Sequence, residues 1–165
     1  MSVMIRMWWV YQHQALDGSE IGSGWAACGL QNVGTVSPMH SYEPMSLATL
    51  ARQLIATVDE RVRWKLVWEF LEEYRWEPAE TRVRLVKGEP PSVGDERWDA
   101  LLAALAEHLC AQHDLAPPDW AEPRVLRRAW FPAELAIQRA DALVRAPAAF
   151  RKHGVYLSAH DLTAA

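Results

Sequence analysis

The tract Asp59–Pro78, DERVRWKLVWEFLEEYRWEP, threads three tryptophans, a phenylalanine and a tyrosine through alternating charges. In an α-helix Val62, Leu66, Val67, Phe70, Leu71 and Tyr74 recur at steps of three and four and form one broad apolar stripe. Trp64 and Trp68, themselves four apart, widen it. Such a helix is expected to be clamped on two sides, by its own chain or by a partner. Nothing in it is a reaction centre, so the tract speaks of packing and contact.

The rest of the composition suits a folded body built around such a helix. A chain of 165 residues, 50% apolar and 23% charged, buries a core without metals or disulfides. Its net charge of −4 supplies no global field toward nucleic acid or an anionic membrane. Cys28 and Cys110 lie far apart and no secretory leader precedes them, so a reducing cytoplasm is the expected setting. Met4–Tyr11, MIRMWWVY, is apolar but far short of the roughly 20 residues of a spanning helix, and no membrane partner is expected.

Residues 1–44 differ in character from the remainder of the chain. Arg6 is their only basic Lys or Arg, and Gly18, Gly22, Gly24, Gly29 and Gly34 interrupt any helical period. Met7–Tyr11 has the makings of a short strand and Ala26–Leu30 of a helical turn, yet the segment as a whole reads as a weakly ordered extension. The shift in composition suggests Met45 as the biological start, an expectation that peptides from residues 1–44 in the native protein would refute.

From Ser46 the periodicity becomes regular. Ser46 is a natural cap for a helix lined by Leu47, Leu50, Ala51, Leu54, Ile55 and Val58. Thr57 or Asp59 opens the aromatic helix, which should stop near Arg75 because Pro78 biases Glu77 out of helical geometry. A short helix is expected over 80–86, then a Pro- and Gly-rich loop over 87–95. Asp95 caps the next helix, in which Trp98, Leu101, Leu102, Leu105 and Leu109 keep the 3.6-residue period. Pro117 and Pro118 break the chain, and 119–123 reads as a turn or a single helical turn. Further helical stretches are expected over 123–130 and 139–145, with a turn from Pro147 to Gly154 and a capping box at Ser158 and Asp161.

Candidate chemistry is sparse. His108, Cys110 and His113 share a segment, but on a helix 108 and 110 point roughly 200° apart and do not chelate together. Glu69, Glu72, Glu73 and Glu77 form an acidic cluster that reads as a solvated face, with Lys65 paired to Glu69. Ser158, His160 and Asp161 are adjacent in sequence, which is not triad geometry, and no phosphate-cradling or nucleophile-elbow motif appears. No cofactor, metal or catalytic residue is expected. Three groups of basic residues stand out: Arg61, Arg63 and Lys65; Arg124, Arg127 and Arg128; and Arg139, Arg145, Arg151 and Lys152. Were two of these groups to meet in the fold, they would suit phosphates. The short junction at Val58–Asp59 has the outline of a helix-turn-helix, but its second helix is apolar where a recognition helix should be polar.

Phe70–Pro78 (FLEEYRWEP), Asp95–Leu109 (DERWDALLAALAEHL) and Arg139–Leu162 (RADALVRAPAAFRKHGVYLSAHDL) together resemble a group of small, mostly helical actinobacterial proteins encoded beside nucleotidyltransferase-like or other toxins. The resemblance covers Met45–Ala165. It implies an antitoxin-type protein that neutralises a partner toxin by steric contact, with no catalytic residues to carry over.

The expectation is therefore an all-α protein, with a single compact bundle of about five helices over 45–165 and an extension over 1–44. Because Trp and Arg dominate protein interfaces, Trp64, Trp68, Arg75, Trp76, Trp130 and Phe131 are the expected partner contacts. A DNA-binding regulator is the alternative, as is a helical interaction module of another kind.

Overall fold

The computed structural model describes residues 42–162, and within them the chain is all-helical. The strand and turn expected within residues 1–41 lie outside the described residues. Six α-helices and one short 3-10 helix follow in order: α1 (Leu47–Ala56), α2 (Glu60–Trp76), α3 (Ala79–Lys87), α4 (Glu96–Ala111), the 3-10 turn Asp119–Ala121, α5 (Ala136–Arg145) and α6 (Ala148–Lys152).

Three helix starts are fixed by the side chains the sequence offers for them. Ser46 Oγ accepts the Thr49 amide at 3.2 Å, Asp59 Oδ1 accepts that of Arg61 at 2.8 Å, and Asp95 Oδ1 accepts that of Arg97 at 2.9 Å. Pro147 precedes α6, where its missing N–H costs nothing. α1 ends at Ala56, two residues before Val58, the last apolar position expected in it. Leu47, Leu50, Ala51 and Leu54 are buried, whereas Ile55 is exposed on the helix and Val58 is exposed in the short link that leads to the Asp59 cap.

α4 is the axis of the core. Trp98, Leu101, Leu102 and Leu105 are buried together with Ala100, Ala103, Ala104 and Ala106, so the helix is enclosed on all sides. It packs against α1, α3, α6 and the 3-10 turn. Its alanines let neighbouring helices approach closely, while each buried leucine contributes about 1.5–3 kcal/mol of transfer free energy. α2 packs on α1 and buries Val67, Phe70, Leu71 and Tyr74. Val62, expected in the same stripe, is exposed near the start of α2.

The segment 123–130 is not a helix. Its amides are committed elsewhere: Leu126 N donates to His153 O at 3.1 Å and Trp130 N to Gly154 O at 2.9 Å, while Tyr156 N donates back to Trp130 O at 2.8 Å. These bonds make a one-residue parallel bridge between Trp130 and Val155. His153, fully buried, adds a bond between its Nδ1 and Arg124 O at 2.8 Å. Since a carbonyl only accepts, Nδ1 carries the hydrogen. The helical composition of 123–130 loses to this tertiary pairing, which also swings the Trp130 ring onto the core. Ser158 and Asp161 close a turn, with Asp161 N donating to Ser158 O at 3.0 Å, and no helix follows within the described residues.

The pairing leaves no room at Gly154. Its φ is +75°, and a β-carbon there would sit 3.1 Å from Leu126 Cβ and 3.2 Å from Leu126 O. Gly154→Ala is expected to cost about 2 kcal/mol in chemical denaturation, from the left-handed backbone and the contact together. Gly88→Ala, where nothing lies within 4 Å of the added atom, should change stability by less than about 0.5 kcal/mol.

Candidate binding surface

Four tryptophans from three parts of the chain meet beside α4. Trp98, fully buried, lies 5.1 Å from Trp64 and 5.7 Å from Trp130 between ring centroids, and Trp64 stacks on Trp68 at 5.7 Å. The Arg63 guanidinium covers Trp98 at 5.4 Å and that of Arg97 covers Trp130 at 5.5 Å. Each aromatic pair is worth about 0.5–1.5 kcal/mol beyond its buried area. Trp64, Trp68 and Trp130 are therefore half-buried packing residues that keep a partial opening to solvent. Phe131, next to them in sequence, stacks on Tyr156 at 4.8 Å.

Arg75 and Trp76 lie elsewhere. Trp64 and Trp76 are separated by about 18 Å along the axis of α2. Trp76 is 62% exposed, with its indole N–H donating to Glu72 Oε1 at 2.9 Å, and Arg75 pairs with the same carboxylate at 3.2 Å. The six expected contact residues thus divide into Trp64, Trp68, Trp130 and Phe131 near the aromatic cluster and Arg75 with Trp76 at the far end of α2.

Beside the cluster lies an open hollow of about 600 Å³, lined by Arg97, Arg127, Arg128, Trp130, Phe131 and Arg139 along with Asp95, Glu96, Leu126 and Ala129. Here two of the basic groups visible in the sequence do meet. Arg127 and Arg128 come from the pinned 126–130 loop, and Arg139 from α5. Asp95 is held below the usual carboxylate range, chiefly by the hydrogen bond from the Arg97 side chain, and Arg97 is stabilised in turn. Arg124 does not join them. It turns inward over Trp120 at 5.0 Å, donates to Pro90 O at 2.9 Å and pairs with Glu89 at 3.1 Å, so it fastens the 88–95 loop.

Trp76 apart, the apolar residues open to a partner lie outside that set of six. α5 buries Ala142 and turns its apolar side outward: Ile137 is 78% exposed, Leu143 54% and Val144 79%, with Ala136 and Ala140 exposed between them. These positions fall on one stripe of a 3.6-residue helix. The sequence carries this stripe as ordinary amphipathicity, but periodicity alone does not say whether an apolar face looks inward or outward.

The acidic cluster is mostly a set of staples. Glu73 accepts the Tyr42 hydroxyl and, at 3.0 Å, the Met45 amide, while buried Glu77 accepts Tyr42 at 3.2 Å. Burial, aided by these carboxylates, pushes the Tyr42 phenol well above its usual range. Lys65 pairs with Glu69 at 3.6 Å on the surface. His108, Cys110 and His113 diverge. His108 meets Phe150 edge-on and accepts from the Gln112 amide at 3.0 Å, Cys110 is a buried free thiol, and His113 lies against Tyr74 and Arg82. Among the described residues no His, Cys, Asp and Glu side chains gather in a set that would hold a metal. Ser158 is buried in its turn, whereas His160 and Asp161 are exposed. α1 and α2 are joined by three residues, but α2 spends its apolar face on the core. No described helix is long and apolar enough to cross a membrane. No protein-family model, curated protein or solved structure matches the chain.

His108 and Tyr74 contribute to the expected pH response, the raised Tyr42 phenol and Cys110 thiol adding to its alkaline limb. Burial lowers the pKa of His108, so in mildly acidic solution the unfolded chain binds more protons than the folded one. Stability is full above the ordinary histidine value and should decline as pH falls through it, levelling off below the depressed folded value. Burial raises Tyr74 to about 12, which favours the folded state until the free phenol ionises, so a second loss is expected between about pH 10 and 12. Thermal melts across pH check both limbs; His108→Gln should flatten the acidic one and Tyr74→Phe the alkaline one.

Proposed function

We propose that the chain is a non-catalytic protein-binding module of the antitoxin type, which holds a partner toxin inactive by steric contact. The observation that carries this reading is the outward apolar stripe of α5. Ile137 and Val144 gain little from folding at this degree of exposure and Leu143 leaves half its surface open, and a helix anchored through Ala142 presents them as a ridge. Helix-in-groove recognition uses anchors of this spacing. Arg139 neighbours Leu143 on the helix surface, so the matching partner surface is an apolar groove with acidic side chains along one edge. Trp76, exposed at the other end of α2, is a separate contact and not part of this ridge.

The resemblance of Met45–Ala165 to antitoxin-type proteins points the same way. The partner would bury the ridge and, by its bulk, have its own active cleft covered.

A chain carrying Ile137→Ser and Val144→Ser is expected to keep its melting temperature within about 2–4 °C, because both sites are exposed. It should lose a stoichiometric partner that the unaltered chain retains in high-salt affinity capture from the native host. Expression of that partner alone should arrest growth, with rescue by the unaltered chain and not by the variant. Retention of the partner by a folded variant would show that α5 is not the docking ridge, and a captured partner harmless on its own would refute the antitoxin role.

A further inference from the structure

We infer that the hollow between the 126–130 loop, the start of α4 and α5 is a binding site for a nucleoside phosphate. This goes beyond the protein-docking role of α5 and shares only Arg139 with it. Four guanidinium groups, those of Arg97, Arg127, Arg128 and Arg139, line one hollow of about 600 Å³, a volume suited to a small ligand. Only Asp95 and Glu96 oppose them there, which leaves an excess of two positive charges. Asp95 is already engaged by Arg97, with contacts of 2.8 and 3.2 Å, and by the Arg97 amide.

Arg127 and Arg128 are exposed and make no ion pair or side-chain hydrogen bond with any described residue. Their backbone is nevertheless fixed, because the loop is pinned at Leu126 and Trp130 by bonds of 3.1 and 2.9 Å to His153 and Gly154. Arg139 uses its Nε on Ala133 O at 2.8 Å, which orients the guanidinium and leaves its terminal nitrogens. Unpaired arginines on a pinned loop, lining the same hollow as Arg139, offer several charged donors to an oxyanion.

A doubly charged phosphate group matches the excess charge, where a single carboxylate leaves half of it uncompensated. The remaining wall is apolar and aromatic, with Leu126, Ala129, Trp130 and Phe131 beside the arginines. Although Trp130 packs on Trp98 under Arg97 and Phe131 stacks on Tyr156, the apolar wall beside the guanidinium groups suits a nucleoside and its phosphate together. The same chemistry comes from a free nucleotide or from the 5′-phosphorylated end of a single strand.

Titration calorimetry on the full chain distinguishes the possibilities, with ADP, adenosine, inorganic phosphate and a short 5′-phosphorylated oligonucleotide as probes. ADP is expected to bind at least about tenfold more tightly than adenosine or inorganic phosphate, and to weaken as salt rises. Arg127→Gln with Arg128→Gln should weaken ADP at least about tenfold, and Arg84→Gln, an exposed arginine outside the hollow, should leave it unchanged. Circular dichroism melts of the double variant keep a folding defect distinct from a binding defect. The tighter of ADP and the oligonucleotide identifies the source of the phosphate. Absence of binding by both, ADP no tighter than inorganic phosphate, or undiminished binding by the folded double variant overturns the assignment. None of these outcomes bears on partner capture through Ile137 and Val144.

Discussion

Trp98 is the ring that the rest of the structure is arranged around. It projects from the helix that is buried on every side, and Trp64 from α2, Trp130 from the 126–130 loop and the Arg63 guanidinium all close on it. Three segments far apart in sequence are thereby fixed to one point. The loop that carries Trp130 is held from its other side by the backbone bonds to 153–156, so packing and hydrogen bonding fix the same short stretch twice. Little freedom is left in a segment that on composition alone would make a helix.

This double fixation has a consequence at the surface. By holding Trp130 inward, the loop aims Arg127 and Arg128 outward over the hollow, and the same geometry that completes the core sets the charge of the surface. Arg124, only three residues before Arg127, has the opposite fate, because the Lys87–Asp95 loop offers it a carbonyl and a carboxylate. Identical side chains in one short run are divided between structure and surface by what lies within reach of each.

α5 and the acidic face of α2 show a similar division. Glu73 and Glu77 look like solvated charges, yet they tie down Tyr42 and Met45 and so extend the ordered body upstream of α1. Residues just before Met45 therefore take part in the helical body. In α5 the reverse holds: residues that look like core are on the outside. An exposed apolar ridge thus lies beside a hollow lined by arginines.

Much of the fold was written locally. The caps at Ser46, Asp59 and Asp95, the loop after Lys87, the period of α4 and the stop at Gly154 depend on neighbours a few residues away, and short-range hydrogen bonding and backbone sterics decide them. What the sequence could not carry is direction. Whether Trp64 and Trp68 face a partner or Trp98, whether Ile137 and Val144 face the core or solvent, and whether Arg127 meets Arg139 all depend on contacts between residues distant along the chain. A helical period defines a face but not what lies opposite it; only the tertiary packing around Trp98 decided that.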